Sequence, residues 1–406
     1  MQHFLWFLRE DDHVSQTSDD LSTQVKKIRV MRVIARMNVG GPAVLVTGLM
    51  RGLDQKEFEQ VLVTGYCGVD EEDYLDKVAT DVKATRVNTL GRSVKPLSDL
   101  SSLISIIREI KRFKPDVIHT HTAKAGVVGR IASVVSGHKS IRIHSFHGHL
   151  LNGYFGSLKT RLVILVEKFL ALFTDQLLAD GANIKNDLLR VGIGKEKKFA
   201  VMSPGLQLRS SPNKSEARKE LMLDDNLVYC AFIGRVTQIK RPDRFLDVVA
   251  EIKKRGIDLH FIVAGEGDLL QSCKNRVTAE SLPVTFLGWR EDIEVVLAAS
   301  DLVLLTSDNE GTPLSLIEAG MTGIAIVATN VGSISEIVID GETAFLTDLS
   351  INELADAVGK LATNSDLRAR MGEAGRDYTL ARYGVDRLVK DHQNLYASLV
   401  GRSPLT

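Results

Sequence analysis

Short apolar runs of strand length recur along the chain, each followed by a longer stretch in which apolar residues return every three or four positions. Runs over residues 28–35, 60–64, 116–122, 141–146, 176–179 and 199–202 make a first series, and runs over 227–233, 259–264, 284–287, 301–306, 324–328 and 344–346 make a second. Continuous apolar runs of this length predict strands buried on both faces, and the stretches between them predict amphipathic helices. Regular alternation of the two predicts an α/β fold with two doubly wound parallel sheets.

A length of 406 residues exceeds one ordinary hydrophobic core, so two domains are expected. Ser203-Pro204-Gly205 and the Ser/Pro-rich stretch 210–215 mark the joint, which puts a first domain at 28–206, a second at 207–384 and the hinge near residue 207. Residues 385–399 carry Leu388, Leu395 and Leu399 on one stripe, so 385–406 is predicted to pack back across the joint. Residues 1–27 are mostly polar and are expected to form a flexible extension.

Charge excludes some partners. Lys plus Arg and Asp plus Glu each number 51, so no net field draws the chain to nucleic acid, although local basic patches remain open. No apolar run approaches the roughly 18 residues that span a bilayer, so a soluble or peripherally attached protein is expected. Residues 150–168 place Leu150, Leu151, Tyr154 and Phe155 before Lys159, Arg161 and Lys168, which reads either as contact with a membrane surface or as a buried helix. Cys67, Cys230 and Cys273 are scattered and lack metal-ligand spacing, which fits packing residues in a reducing cytosol. The acidic run Asp70 to Asp73 is expected to be a solvated surface and not a metal site.

In doubly wound sheets ligands bind beyond the carboxyl ends of the strands. Glu310 to Glu318 follows such a strand: Gly311 lets backbone approach a ligand, Thr312 can cap, and Pro313 suits the first helical position. The amides of Leu314 and Ser315 would then be free donors for phosphate or sugar oxygens. Glu310 would stand at the mouth and Glu318 about two turns on, roughly 12 Å along the axis. The same residues also fit an acidic surface turn in an ordinary βα unit. Gly40 and Gly41, before Pro42, either bring backbone close to an anion or make a tight turn. Arg235 and Lys240 either face solvent or neutralise a diphosphate leaving group. His144, His147 and His149 end another strand, where a metal is the weaker reading, and a satisfied structural ring fits each of them about as well as a hydrogen bond to substrate. His119 to Gly126 also ends a strand, as do Gly265 to Gly267 and Gly288 to Arg290, and for the last two simple turns account nearly as well.

Residues 307–346 resemble the sugar-donor signature of the retaining, two-domain GT-B glycosyltransferases of family 4, the glycosyl transferases group 1. The resemblance covers most of 28–400 and is strongest over 234–346. It implies two Rossmann-like domains facing across a cleft. It also implies catalytic roles for His147, Arg235, Lys240 and Glu310, and donor binding by Gly40, Gly41, Gly311, Thr312, Pro313, Leu314 and Glu318. Glu318 would hold the ribose, and His147 the transferred sugar. The sequence departs from the pattern at Gly320-Met321-Thr322, at Ala325, at Ser203 to Gln207, and at Arg241, where relatives frequently have Gly after the Lys.

The implied activity is transfer of a hexose or amino-hexose from a nucleoside diphosphate sugar, UDP favoured, to a saccharide or lipid-linked saccharide, with retention of configuration. No cofactor and no metal are expected, and the implied setting is cell-surface polysaccharide or glycoconjugate synthesis in the cytoplasm, with peripheral contact to the inner face of the membrane left open. A sugar-nucleotide epimerase or hydrolase of the same fold, or a nonenzymatic saccharide-binding scaffold, are the alternatives.

Overall fold

The computed structural model describes residues 26–68, 71–91, 93–148 and 157–403. The expected extension therefore lies almost wholly outside the described residues, as do Asp70, His149 and the segment 150–156. Strands β1 (Ile28–Ile34), β2 (Phe58–Thr64), β3 (Thr85–Arg86), β4 (Val117–His121), β5 (Ile141–Phe146), β6 (Gln176–Ala179) and β7 (Phe199–Val201) form one sheet in the order β3-β2-β1-β4-β5-β6-β7. Strands β8 (Tyr229–Ile233), β9 (His260–Ala264), β10 (Val284–Gly288), β11 (Leu302–Leu305), β12 (Ala325–Thr329) and β13 (Ala344–Thr347) form another in the order β10-β9-β8-β11-β12-β13. Every strand pair is parallel. The strand order reverses between β1 and β4 and between β8 and β11, which opens a crevice at the carboxyl end of each sheet.

All residues of β4, β8, β11 and β12 are buried, which is why β8, β11 and β12 read as apolar runs, whereas β4 buries the polar side chains of His119, Thr120 and His121. Each of the twelve runs overlaps a strand. The thirteenth strand, β3, has two residues at the sheet edge and is too short to leave a periodic signal.

The helix Val385–Leu399 packs on the helix Gly41–Gly52 of the first sheet. Two glycines permit the close approach: a Cβ on Gly52 would lie 2.3 Å from Val389 Cγ2, and one on Gly48 would lie 3.2 Å from Val385 Cγ2. The buried seam is Leu388, Val389, His392, Tyr396 and Ala397. Leu395 and Leu399 are only partly buried, so the stripe differs from the expected one because polar His392 and Tyr396 are drawn inward by hydrogen bonds to Leu388 O and His119 Nδ1.

Where the chain crosses between the sheets, its two passes are bonded to each other. Leu206 N–H donates to Tyr383 O at 2.7 Å, Val385 N–H donates to Leu206 O at 3.0 Å, and Arg387 donates to the carbonyls of Ser203 and Pro204. A second tie spans the sheets. The Glu336 carboxylate accepts from the amides of Ala182 (2.6 Å) and Asn183 (2.8 Å), the opening residues of the helix Ala182–Arg190, while Asn183 Nδ2 donates to Gly332 O at 3.0 Å. An acid from one lobe thus caps the positive end of a helix in the other.

Between the helices Ala123–Val135 and Ser157–Leu172, Arg130 Nη2 donates to both oxygens of Glu167 at 2.7 and 2.8 Å, with both side chains almost fully buried. Removing the acid strands a buried guanidinium, so Glu167→Ala is expected to lower the unfolding free energy by about 3–5 kcal/mol. Urea unfolding checks this, and a loss below about 1 kcal/mol would show that the pair contributes little.

Candidate active site

The turn after β11 carries the first carboxylate. Glu310 is buried, and its Oε1 accepts from Lys240 Nζ and from Ser307 Oγ, each at 2.5 Å. Its Oε2 has no hydrogen-bond partner among the described residues. Lys240 comes from the loop after β8, where a Cβ on Gly234 would lie 3.8 Å from Lys240 Cε. Arg235, next to Gly234, is exposed and makes no ion pair among the described residues. Gly265 and Gly267 buttress this loop, since a Cβ on either would come within 2.2 Å of the carbonyl of Gly234 or Val236. Arg241 follows at φ +51°, a left-handed conformation in which Gly is free of strain. Arg241 is held there by ion pairs with Asp243 and Asp308, which fix the loop without a glycine.

Gly311 brings the lobes together. A Cβ on it would lie 2.9 Å from Gly148 Cα and 3.5 Å from His147 O, so the donor-side turn touches the end of β5 backbone to backbone. Gly41 lies against the Leu314 side chain, 3.6 Å from a Cβ placed on it, which puts the Gly40-Gly41 loop over the opening of the helix Leu314–Met321. Two readings of this turn are corrected. Pro313 is the residue before the helix, in extended conformation, and not its first helical residue. Thr312 caps nothing, because its hydroxyl is buried without a partner among the described residues. With Pro313 flanking the helix, the amides of Leu314 and Ser315 still open it and have no intrahelical acceptor.

Within the acidic run expected to be solvated, Glu72 is exposed, but Glu71 and Asp73 are structural. Glu71 pairs with Arg36 at 2.5 Å and Asp73 with Arg86 at 2.8 Å, all four side chains largely buried, and Asp73 caps the helix Tyr74–Lys77. These pairs anchor the Asn38 to Pro42 loop, since Asn38 bridges to Asp73 and Val39 N–H donates to Glu72 O at 3.1 Å.

The histidines at the ends of β4 and β5 form a column. His147 Nδ1 lies 3.2 Å from both oxygens of Asp180, and its Nε2 lies 2.9 Å from His121 Nδ1, with the two rings stacked. With the His147 Nδ1–H donated to Asp180, His121 Nδ1–H donates to His147, which leaves His121 Nε2 as the buried atom without a partner. His119 bonds Tyr396 and Ser145 at 2.7 Å each, and His144 bonds Thr120 Oγ1 at 2.9 Å. Burial lowers the pKa of His119, His121 and His144 well below the ordinary value and that of His392 to about 3, so these four are neutral structural rings. Both ring nitrogens of His147 are engaged within its own lobe. It is therefore the His147 carbonyl and Gly148 that face the Gly311 turn, and not a free imidazole nitrogen.

Asp180 and Glu336 were not singled out from the sequence. Asp180 had a signal, because it directly follows β6. Among the described residues no group of three or more His, Cys, Asp or Glu has a metal-binding arrangement.

Glu318 lies one turn into the helix beside Arg209 and Glu294. Arg209 and Glu294 also line a cavity of about 480 Å³ together with Trp289, Arg290, Glu291 and Asp292. Tyr74, from the other lobe, is close enough to feel both Arg209 and Glu318. Desolvation pushes the Glu318 carboxyl up from 4.5 to about 7, with Arg209 opposing and Glu294 adding to the shift. A folded-state value above the unfolded one means that the folded chain holds this proton more tightly. Stability should therefore fall as pH rises from about 4.5 to about 7, by at most roughly 3 kcal/mol, and then level off. Glu318→Gln should remove that fall, so its advantage over wild type is expected to be absent near pH 4 and full above about pH 7. Urea titrations across this range check it, and parallel profiles would contradict it.

Two family models divide the chain between them. Residues 39–209 match Glycosyltransferase Family 4, and residues 213–378 match Glycosyl transferases group 1. The chain is 29% identical over 342 residues to the UDP-Gal:alpha-D-GlcNAc-diphosphoundecaprenol alpha-1,3-galactosyltransferase of Escherichia coli, a match spanning 81% of this chain and 86% of the relative. It is 23% identical over 340 residues to the capsular polysaccharide biosynthesis glycosyltransferase CapM of Staphylococcus aureus, spanning 80% and 87%. Anabaena HepE, solved in complex with UDP and glucose, matches the fold with a TM-score of 0.77 at 20% identity, covering 91% of this chain and 100% of that one. Sucrose-phosphate synthase from Thermosynechococcus elongatus matches with 0.79 at 18% identity, covering 92% and 99%. With its paired parallel sheets and the matched models on either side of residue 210, the chain belongs to the family 4 glycosyltransferases and has their GT-B fold.

Proposed function

We propose that this glycosyltransferase moves a hexose or amino-hexose from a UDP-sugar to a saccharide or lipid-linked saccharide acceptor with retention of anomeric configuration, in cell-surface polysaccharide or glycoconjugate synthesis. The observation that carries this reading is the pairing of Lys240 with Glu310 at the mouth of a helix whose first amides are open. As the bond between the anomeric carbon and the diphosphate oxygen breaks, negative charge grows on the diphosphate. In this proposal Arg235, Lys240, the amides of Leu314 and Ser315 and the Thr312 hydroxyl receive it. In this reading they supply the counter-charge and no metal is required, so the rate in EDTA is expected to equal the rate without it. Glu310, through its unpaired Oε2, orients a sugar hydroxyl while oxocarbenium character develops. The acceptor oxygen then bonds the anomeric carbon from the face that the diphosphate leaves, and its proton passes to the departing phosphate oxygen.

The named donor of the Escherichia coli relative and the UDP bound to HepE support uridine over other bases. The relative's diphosphoundecaprenol acceptor supports a lipid-linked saccharide here. Three free cysteines, two of them buried, fit a cytoplasmic setting. Glu318 would take the ribose hydroxyls, with the cavity between Trp289 and Arg209 holding the base.

Two charge-assisted bonds to ribose, each about 1.5–3 kcal/mol, predict that Glu318→Ala weakens UDP-sugar binding by about a hundred- to ten-thousand-fold in calorimetric titration. Unchanged affinity would remove Glu318 from the donor site. Arg235→Ala is expected to lower turnover by more than it lowers donor affinity, because the charge it meets is largest in the transition state. Donor consumption at full rate without acceptor would favour a hydrolase or epimerase.

A further inference from the structure

The helix Ser157–Leu172 turns its large apolar side chains outward. Leu158, Leu162, Leu165, Phe169 and Leu172 are each between 59% and 80% exposed. Their spacing of four, three, four and three residues lines them up on one stripe. The opposite face is the packed one, where Leu170 and Ala171 are buried and Glu167 meets Arg130. The alternative of a fully buried helix is thereby set aside, and an aligned apolar patch of this size calls for a partner.

Charge says which partner. Lys159, Arg161 and Lys168 are exposed beside the stripe, and none makes an ion pair among the described residues. Glu167 is the only acid on this helix, and it is consumed in the buried pair. On a chain with no net charge, this one face therefore combines apolar side chains with uncompensated positive charge. The helix Pro96–Phe113, in the same layer, adds exposed Leu97, Leu100 and Ile104. The stripe also has a fixed relation to the cleft. Its helix is the crossover after β5, so its Leu158 end lies on the side of the sheet where His147 and Gly148 meet Gly311.

We propose that this face docks the protein flat on an anionic membrane surface. The leucines and Phe169 sink to the boundary between headgroups and acyl chains, and the three bases meet lipid phosphates. Docking holds the cleft at headgroup level, where the diphosphate of a lipid-linked acceptor lies. The proposal rests on the reading of a lipid-linked acceptor given above and adds the surface that delivers it.

Co-sedimentation of the full chain with vesicles of phosphatidylglycerol and phosphatidylethanolamine, against vesicles of phosphatidylcholine alone, tests it. Wild type is expected to partition to the anionic vesicles and to be partly released by salt. Lys159→Ala/Arg161→Ala/Lys168→Ala should weaken that partition by about a hundredfold. Leu162→Ser/Phe169→Ser should abolish it without shifting the urea midpoint, since both side chains are already exposed. Both variants should keep wild-type transfer to a water-soluble saccharide acceptor and wild-type thermal protection by UDP. Absence of wild-type binding, or binding that survives Leu162→Ser/Phe169→Ser, would overturn the proposal. So would a wild-type dimer that ignores vesicles and that Leu162→Ser/Phe169→Ser converts to a monomer, which would make the stripe an interface between copies. Loss of UDP protection and of transfer in wild type itself would instead count against the transferase reading, whatever the vesicles show.

Discussion

Backbone contact between Gly311 and Gly148 is the constraint on which the site depends. The donor-side turn and the end of β5 meet so closely that a single methyl group at residue 311 would lie 2.9 Å from Gly148 Cα. Because neither turn carries a side chain there, the turn that bears Glu310 comes directly against the end of β5 in the other lobe. The rest of the molecule serves this approach. Glu336 caps a helix across the gap, the two chain crossings are bonded to each other at Leu206 and Val385, and Gly48 and Gly52 let the last helix settle on the first lobe.

Electrostatics then divides the site into two unequal parts. Around Glu310 the charges are balanced, with one carboxylate, one ammonium and a hydroxyl bonded together, and Arg235 left unpaired at the rim. Around Glu318 they are not, because desolvation outweighs the nearby Arg209 and holds the carboxyl partly protonated near neutral pH. In the proposed reading, ribose hydroxyls donate to Glu318 and the diphosphate meets Lys240, Arg235 and the open amides of Leu314 and Ser315. A sugar nucleotide brings both features in one molecule.

Much of this was legible in the sequence because chemistry-bearing residues sit directly after apolar runs. Glu310, Lys240 and the glycines beside them all follow strands, and the twelve apolar runs located all but the two-residue β3. What could not be read involves distance along the chain or a choice between faces. Asp180 reaches His147 across 33 residues, and Glu336 reaches Ala182 across 154. The engagement of both His147 nitrogens follows from those neighbours and not from its own motif. Thr312 and Pro313 suit a helix start equally well at adjacent positions, and tertiary contact at Gly311 decides the register. The helix Ser157–Leu172 is apolar nearly all round, so periodicity alone cannot say which stripe packs inward; the buried Arg130–Glu167 pair settles it.

Retention, as proposed, requires that one cleft break a sugar–diphosphate bond and form the new bond to an acceptor on the same face. Proton NMR of the product formed from an α-linked UDP-hexose and a prenyl diphosphate-linked saccharide reads this most directly. An α-linked product that appears only when acceptor is present is expected. A β-linked product, or free hexose released at the same rate without acceptor, would contradict it.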